Sequence, residues 1–120
     1  FYILGILFST IPSLFKHYDN PNYFSLGASG AVSSIVFAYI LIFPLRELGL
    51  VLLPGIWLPG FIFGSLYIIA EHYLSKKQYS NIAHDAHLSG SIFGIIFIIL
   101  YDFNNVQKFI QKITYYFSTF

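Results

Sequence analysis

The chain has 120 residues, of which 57% are hydrophobic and only 9% are charged, and its mean hydropathy is +0.71. A soluble domain carries about 25% charged residues, so this composition indicates a membrane protein. The net charge of +1 excludes the basic surface that nucleic-acid binding requires, and the absence of cysteine excludes disulfides, thiolate metal sites and cysteine nucleophiles.

Four apolar segments are predicted to be transmembrane helices, because a bilayer core of about 30 Å needs about 20 apolar residues. They cover residues 1–15, 26–43, 59–73 and 82–101. The first begins directly in FYILGILF, with no charged segment before it, which argues against a signal peptide. Because the chain contains no methionine, we interpret it as an interior or C-terminal piece of a longer protein.

Prolines set the expected boundaries of these helices. The first segment contains Pro12 and ends in the polar turn KHYDNPNY, and Pro44 stops the second. Two Pro-Gly pairs interrupt the third apolar run, and proline breaks a helix outside its first turn, so we start the third helix near Pro59. Residues 48–58 then become a partly buried loop, covered by protein.

The tail, residues 102–120, places apolar side chains on one helical face and Gln and Lys on the opposite face. This pattern is typical of an amphipathic helix in the membrane interface, and a frayed juxtamembrane tail is the alternative. The predicted fold class is therefore an all-α polytopic membrane protein, with a transmembrane domain at 1–101 followed by this tail. The predicted connectors on the two membrane sides carry equal numbers of lysine and arginine residues. The positive-inside rule therefore does not predict which side of the chain faces the cytoplasm.

Polar residues inside apolar segments are costly, which makes them functional candidates. Ser29 lies near the start of the second segment, in SLGASGAVSS, and His87 near the start of the fourth, in HDAHLSG. Alternate spans run in the same direction, so we expect both residues at the same depth. Small residues recur every four positions around them, which lets helix backbones approach closely. These are Gly27 and Ala31, then Gly30, Ser34 and Ala38, and finally Ala86, Gly90 and Gly94.

Such close packing would bring the Ser29 hydroxyl within hydrogen-bond reach of the His87 imidazole. That is the geometry in which a general base activates a serine nucleophile. The first helical turn around Ser29 also offers backbone N–H groups and a positive dipole end to an oxyanion. The alternative is that the small residues serve packing alone and the histidine is structural.

The pair His84 and His87 is spaced so that both side chains can share a metal ion. A third ligand would have to come from Glu71, His72 or Asp85, and the sequence places none of them persuasively. We therefore predict no metal and no other cofactor, with a metal-binding or transport bundle as the less favoured alternative. Asp85 is not expected to orient His87, because residues two apart on a helix point in different directions.

The two serine and histidine motifs together resemble those of the rhomboid family of intramembrane serine proteases. The Gly-x-Ser-Gly element and the Ala-His-x-x-Gly-x-x-x-Gly element match at Gly27, Ser29, Gly30, Ala86, His87, Gly90 and Gly94. The resemblance runs from the first segment to about Tyr101. It implies a rhomboid-like helical bundle in which the four segments are the last four of a six-helix core.

The resemblance also implies an activity: cleavage of transmembrane segments of other membrane proteins by a Ser/His dyad without an acidic third residue. Ser29 would be the nucleophile and His87 the general base. Gly27 and Gly30 would support the oxyanion site, and the small residues of the fourth segment, Ala86, Gly90 and Gly94, would allow close helix packing. The protein would be a multi-pass protein of the bacterial plasma membrane, with both helix starts facing outward and with lipid and transmembrane substrates as partners.

Two departures from the family pattern bear on this activity. The family's oxyanion-stabilising His and Asn would lie before Phe1. In many members an aromatic residue packs beneath the histidine, and Ser33 occupies that position here, so the stacking would be lost. The third span would be the element that moves aside for substrate. The alternative function is a catalytically inactive rhomboid-like protein that binds transmembrane segments.

Overall fold

The computed structural model describes residues 1–19, 21, 27–50, 53–77 and 84–120. Within these residues the chain forms five α-helices and two short β-strands. Their bounds are α1 Tyr2–His17, α2 Gly27–Ile42, β1 Glu47–Leu50, β2 Leu53–Pro59, α3 Gly60–Lys77, α4 His84–Tyr101 and α5 Asn104–Ser118. The chain is thus mostly helical, with α3 one turn longer than predicted.

Helices α2 and α3 end and begin at prolines. α2 stops at Ile42, two residues before Pro44, and α3 begins directly after Pro59. The first N–H groups of α3 find acceptors outside the helix: the Gly60 N–H donates to the Arg46 carbonyl at 2.8 Å and the Phe61 N–H donates to the Pro44 carbonyl at 2.9 Å. These bonds satisfy donors that a helix start leaves open, and they fix α3 against the end of α2.

The segment predicted to be a partly buried loop forms an antiparallel β-ribbon instead. Glu47 lies opposite Pro59 and Gly49 opposite Trp57, and most of the side chains are exposed. Gly55 has a φ of +92°, a conformation that glycine adopts without strain. The Pro-Gly pairs do stop a helix here, but strand pairing satisfies the backbone of the intervening residues, so the all-α prediction is wrong for this segment.

Helices α2 and α4 run in parallel with their backbones in contact. A methyl group on Gly90 would overlap the carbonyl oxygen of Gly30, and one on Gly94 would overlap the carbonyl oxygen of Ser34. We call these four residues the α2–α4 seam. Gly90 pairs with Gly30, and Gly94, four residues later in α4, pairs with Ser34, four residues later in α2. The two helices therefore run in the same direction, and their N-terminal ends lie at the same end of the bundle.

Helices α1 and α3 flank this pair and run antiparallel to it. On the α1 side, the rings of Phe8 and Phe93 stack with centroids 5.0 Å apart, and those of Phe1 and Phe97 meet edge-on at 4.8 Å. On the other side, α3 presents Gly64 to the ends of side chains from α2. The bundle therefore has α2 and α4 at its centre.

Small and polar side chains fill much of the interior of the bundle, beside Phe37, Ile40 and Leu41, and many large apolar side chains lie on its exterior. Ser9, Ser34 and Ser91 are fully buried, whereas side chains such as Phe15 and Leu100 are exposed. In water this distribution would be reversed. It suits a surface in contact with lipid, where close packing of small residues holds helices together.

One helix of the described part of the chain, His84–Tyr101, is long and apolar enough to cross a membrane. The stretches Tyr2–Lys16 and Ala28–Ile42 are apolar but shorter. The 16 described residues of α2 span about 24 Å at 1.5 Å per residue, and a bilayer core is about 30 Å thick. Membrane crossing by all four predicted spans, α4 included, stays a prediction.

The tail is helical from Asn104 to Ser118 and packs onto the bundle, and its placement in a membrane interface stays a prediction. The ring of Tyr116 meets that of Phe61 edge-on, with centroids 5.4 Å apart. The Lys112 ammonium donates to the Ile42 carbonyl at 2.9 Å, where a cation favourably meets the C-terminal end of α2. These contacts join α5 to the ends of α2 and α3.

Candidate active site

Ser29 lies in the first turn of α2 as the structure describes that helix, and its side chain is exposed. The neighbouring Gly30 is buried. A methyl group on Gly30 would lie 2.9 Å from the carbonyl oxygen of Ala86 and would overlap the Ser9 side chain. The turn of α2 that carries Ser29 therefore contacts the turn of α4 that carries His87.

The α2–α4 seam explains why these turns meet. Glycine at positions 30, 90 and 94 leaves no side chain between the two backbones. Ala86 is fully buried beside them, and Gly27, the remaining small residue of the serine motif, is the first residue of α2. The residues predicted to pack around the site thus lie at one end of the contact between α2 and α4.

His87 is held by a carboxylate that arrives from α3. Its Nδ1 donates to Oε1 of Glu71 at 3.0 Å, and the His87 side chain is 15% exposed. An ionised carboxylate only accepts hydrogen bonds, so the imidazole proton resides on Nδ1 and the lone pair on Nε2. This is the tautomer that a general base requires.

The same carboxylate also binds His84. The Nδ1 of His84 donates to Oε2 of Glu71, the second carboxylate oxygen. Both residues are buried, with 9% of Glu71 and 8% of His84 exposed. Because each oxygen accepts from a different imidazole, Glu71 fixes both rings and ties α3 to the start of α4.

An aromatic ring from α3 lies next to His87. The centroids of the Tyr67 and His87 rings are 6.5 Å apart, with their planes tilted by 37°. The Tyr67 hydroxyl and the Ser33 hydroxyl share a hydrogen bond of 2.9 Å. Ser33 itself offers no ring to His87, and the aromatic neighbour of His87 comes instead from α3, as Tyr67, whose hydroxyl pairs with that of Ser33.

The other acidic and imidazole candidates lie away from this site. Lys16 of α1 donates to Oδ2 of Asp85 at 3.0 Å, so the Asp85 carboxylate is directed toward α1. His72 is exposed on α3. Sequence reasoning considered Glu71 only as a metal ligand and missed it as the partner of His87. The sequence did contain a signal for this role: Glu71 ends an apolar stretch, and a carboxylate in such a position requires a polar partner.

The described helices form a bundle with many large apolar side chains on its exterior, glycines between α2 and α4, and a buried polar cluster around Glu71. A comparison with models of protein families matches residues 1–102 to the Rhomboid domain. Searches among curated proteins and among solved structures find no match. The chain belongs to the rhomboid family, a family of membrane proteins whose members are in general intramembrane serine proteases.

Proposed function

We propose that this protein is a serine endopeptidase that cleaves transmembrane segments of other membrane proteins, with Ser29 as nucleophile and His87 as general base. The observation that carries the proposal is the contact between the two helical turns that hold these residues, at Gly30 and Ala86. The Rhomboid match over residues 1–102 includes both turns. It agrees with the proposal independently of the geometry.

The proposed reaction is acyl transfer through a covalent intermediate. Nε2 of His87 accepts the hydroxyl proton as Oγ of Ser29 attacks the carbonyl carbon of the scissile peptide. The imidazolium then donates this proton to the leaving amine, and the peptide bond breaks. Water, activated by the same imidazole, hydrolyses the ester and returns the proton to Ser29.

Glu71 extends the proposed dyad to a triad. Its bond to Nδ1 keeps the lone pair of His87 on Nε2 and stabilises the positive ring that forms when the proton arrives. The resemblance to the family implied no acidic third residue, so this carboxylate is a feature of this chain's own site. Glu71 is a positioning residue, because it acts on the substrate only through His87.

Oxyanion stabilisation is proposed for the first turn of α2. Backbone N–H groups in a first helical turn have no acceptor within the helix, and the positive dipole end favours a developing negative charge. Each oxyanion donor is worth about 3 to 4 kcal/mol in acyl-transfer enzymes.

The proposal is tested by labelling the full-length protein in membranes with a fluorophosphonate probe, which forms a covalent bond with activated serines. We expect labelling of the wild type and none of Ser29→Ala. Ser65→Ala is the matched control, because Ser65 is also exposed and its hydroxyl donates only within its own helix, to the Phe61 carbonyl at 2.8 Å. Labelling that survives in Ser29→Ala would refute the proposal, and an unlabelled wild type would favour an inactive protein that binds transmembrane segments.

A further inference from the structure

We infer that Glu71, His84 and His87 form a binding site for a divalent transition-metal ion of the zinc type. One ligand atom from each residue lies within 4.8 Å of the other two. The sequence left the third ligand open between Glu71, His72 and Asp85. The structure selects Glu71, because it alone of the three contacts both histidines.

The geometry of the cluster is close to that of a metal site. His84 and His87 are three residues apart on α4 and so share a helix face, and Glu71 approaches from α3. Zinc bonds to nitrogen and oxygen of about 2.0 to 2.2 Å place neighbouring ligand atoms about 3.3 to 3.6 Å apart in a tetrahedron. The 3.0 Å between Glu71 Oε1 and His87 Nδ1 is near this value. A separation of 4.8 Å, the largest in the cluster, would have to shorten by about 1.2 to 1.5 Å to reach this geometry, which side-chain rotation can supply.

The chemistry of the three ligands favours zinc. Two imidazole nitrogens and one carboxylate oxygen suit Zn²⁺, whereas Mg²⁺ and Ca²⁺ prefer oxygen ligands alone. The three side chains are largely buried. Binding of the cation would therefore break the hydrogen bonds between Glu71 and the two histidines, and it would displace little water from these side chains. Three protein ligands leave a fourth position open, as in zinc sites that keep a water molecule.

Metal binding has a direct consequence for His87, which rests on the proposed protease function. A metal on Nδ1 uses the lone pair of that nitrogen, and the ring proton moves from Nδ1 to Nε2. His87 then has no lone pair to accept the proton of Ser29. The cluster would therefore have two states: a hydrogen-bonded state that supports the general base, and a metal-bound state that blocks it.

Zinc binding is measured first, in a protein that cannot turn over. The full-length Ser29→Ala protein, purified in detergent with a tag free of histidine, is titrated with ZnCl₂ in a calorimeter. We expect one zinc per chain. Adding His84→Ala should weaken binding at least about tenfold, since it removes a ligand. Adding His72→Ala is the matched control and should leave the affinity unchanged, because His72 lies next to Glu71 but is exposed.

A second variant distinguishes the loss of a metal ligand from the loss of folding. Glu71→Gln keeps the shape of the side chain and removes the anionic ligand, so it should also weaken zinc binding by about tenfold or more. Cobalt in place of zinc should give the visible absorption of a tetrahedral site in the parent protein and lose it in this variant. Absence of zinc binding, or binding equal to the parent in both His84→Ala and Glu71→Gln, overturns the inference.

Inhibition is then measured in the wild type with the fluorophosphonate probe. We expect saturating zinc to reduce the labelling rate at least tenfold, and a chelator to restore it. Zinc binding without any labelling of the wild type would refute the protease and leave the metal site intact. Labelling without zinc binding would refute the metal site and leave the protease intact. Undiminished labelling of the zinc-bound protein would refute the inhibitory role of the metal.

Discussion

The two neighbours of α4 that form the candidate site pack against it in different ways. On one side, the α2–α4 seam brings backbone against backbone, and glycine is the only residue that fits at Gly30, Gly90 and Gly94. On the other side, α3 reaches α4 through long polar side chains, Tyr67 and Glu71. Different elements therefore set the position of the two residues and the chemistry of the imidazole. The seam fixes where Ser29 and His87 lie, and α3 determines the state of the imidazole.

The two contacts also differ in how much change they tolerate. A methyl group on Gly90 would meet the backbone of α2, which cannot move alone. A methyl group on Gly64, on α3, would meet side-chain atoms instead, Cδ1 of Ile40 at 3.1 Å and Cε1 of Phe37 at 3.2 Å, and shifts of a few tenths of an ångström would relieve both contacts. The α3 side is therefore the adjustable one.

The largest effect is expected from Gly90→Ala, which tests the backbone contact at the α2–α4 seam. The added methyl forces α4 away from α2, so fluorophosphonate labelling should fall to background and the free energy of unfolding should decrease by about 1 to 3 kcal/mol or more. Gly64→Ala is the matched control on the adjustable side and should keep most of the labelling. Thermal unfolding in detergent and the labelling rate check both variants. Wild-type labelling of Gly90→Ala would contradict the account of the seam.

The next effect concerns the carboxylate from α3. Glu71→Gln should reduce the labelling rate about a hundredfold, because Gln offers one acceptor oxygen to two imidazoles and no negative charge for the imidazolium. In ¹⁵N NMR spectra, His87 should lose its uniform Nδ1–H tautomer, which a purely structural change elsewhere would not cause.

Asp85→Asn makes the same chemical change at a carboxylate outside the Glu71 cluster, the one that accepts from Lys16. Its labelling rate should stay within about twofold of the wild type, because the pair is partly exposed. Equal rates for Glu71→Gln and the wild type would remove Glu71 from its positioning role.

A smaller effect is expected at the hydrogen bond between Tyr67 and Ser33. Tyr67→Phe keeps the ring beside His87 and removes the hydroxyl, and Ser33→Ala removes the other partner. The coupling energy from a double-mutant cycle of thermal stability should be about 0.5 to 1.5 kcal/mol. A coupling near zero would indicate that this bond does not hold the ring. Tyr67→Leu, which also removes the ring, should slow labelling more than Tyr67→Phe.

The smallest effect is expected at the ion pair between α1 and α4. The side chains of Lys16 and Asp85 are 50% and 22% exposed, and exposed pairs contribute about 0 to 1 kcal/mol. Lys16→Met should therefore leave the labelling rate unchanged and shift stability by less than about 1 kcal/mol. A large loss of labelling would show that the α1 side also controls the site.

The seam could be predicted from the sequence because its cause is local. Glycines and small residues four apart mark one helix face, and two such faces have few other ways to pack in lipid. The helix ends near Pro44 and Pro59 follow equally from local chemistry, since proline lacks an N–H and its ring blocks the preceding turn. These features depend on neighbours within about one helical turn.

The contribution of α3 could not be predicted in this way. Glu71 lies 13 and 16 residues from the histidines it binds, and only the rotation of α3 against α4 determines which of its residues face them. The β-ribbon was missed for a related reason. A Pro-Gly pair excludes a helix, but whether the freed backbone pairs with another strand depends on a partner segment several residues away.

The most direct test of the central claim is the rate at which the probe labels Ser29 in the wild type and in His87→Ala, with the labelled peptide identified by mass spectrometry. The seam places the turns that carry these two residues in contact, and the proposed mechanism makes the serine reactive only through the imidazole. We therefore predict an adduct on Ser29 in the wild type and a labelling rate at least about a hundredfold lower in His87→Ala. An adduct on another residue, or a normal rate in His87→Ala, would contradict the account.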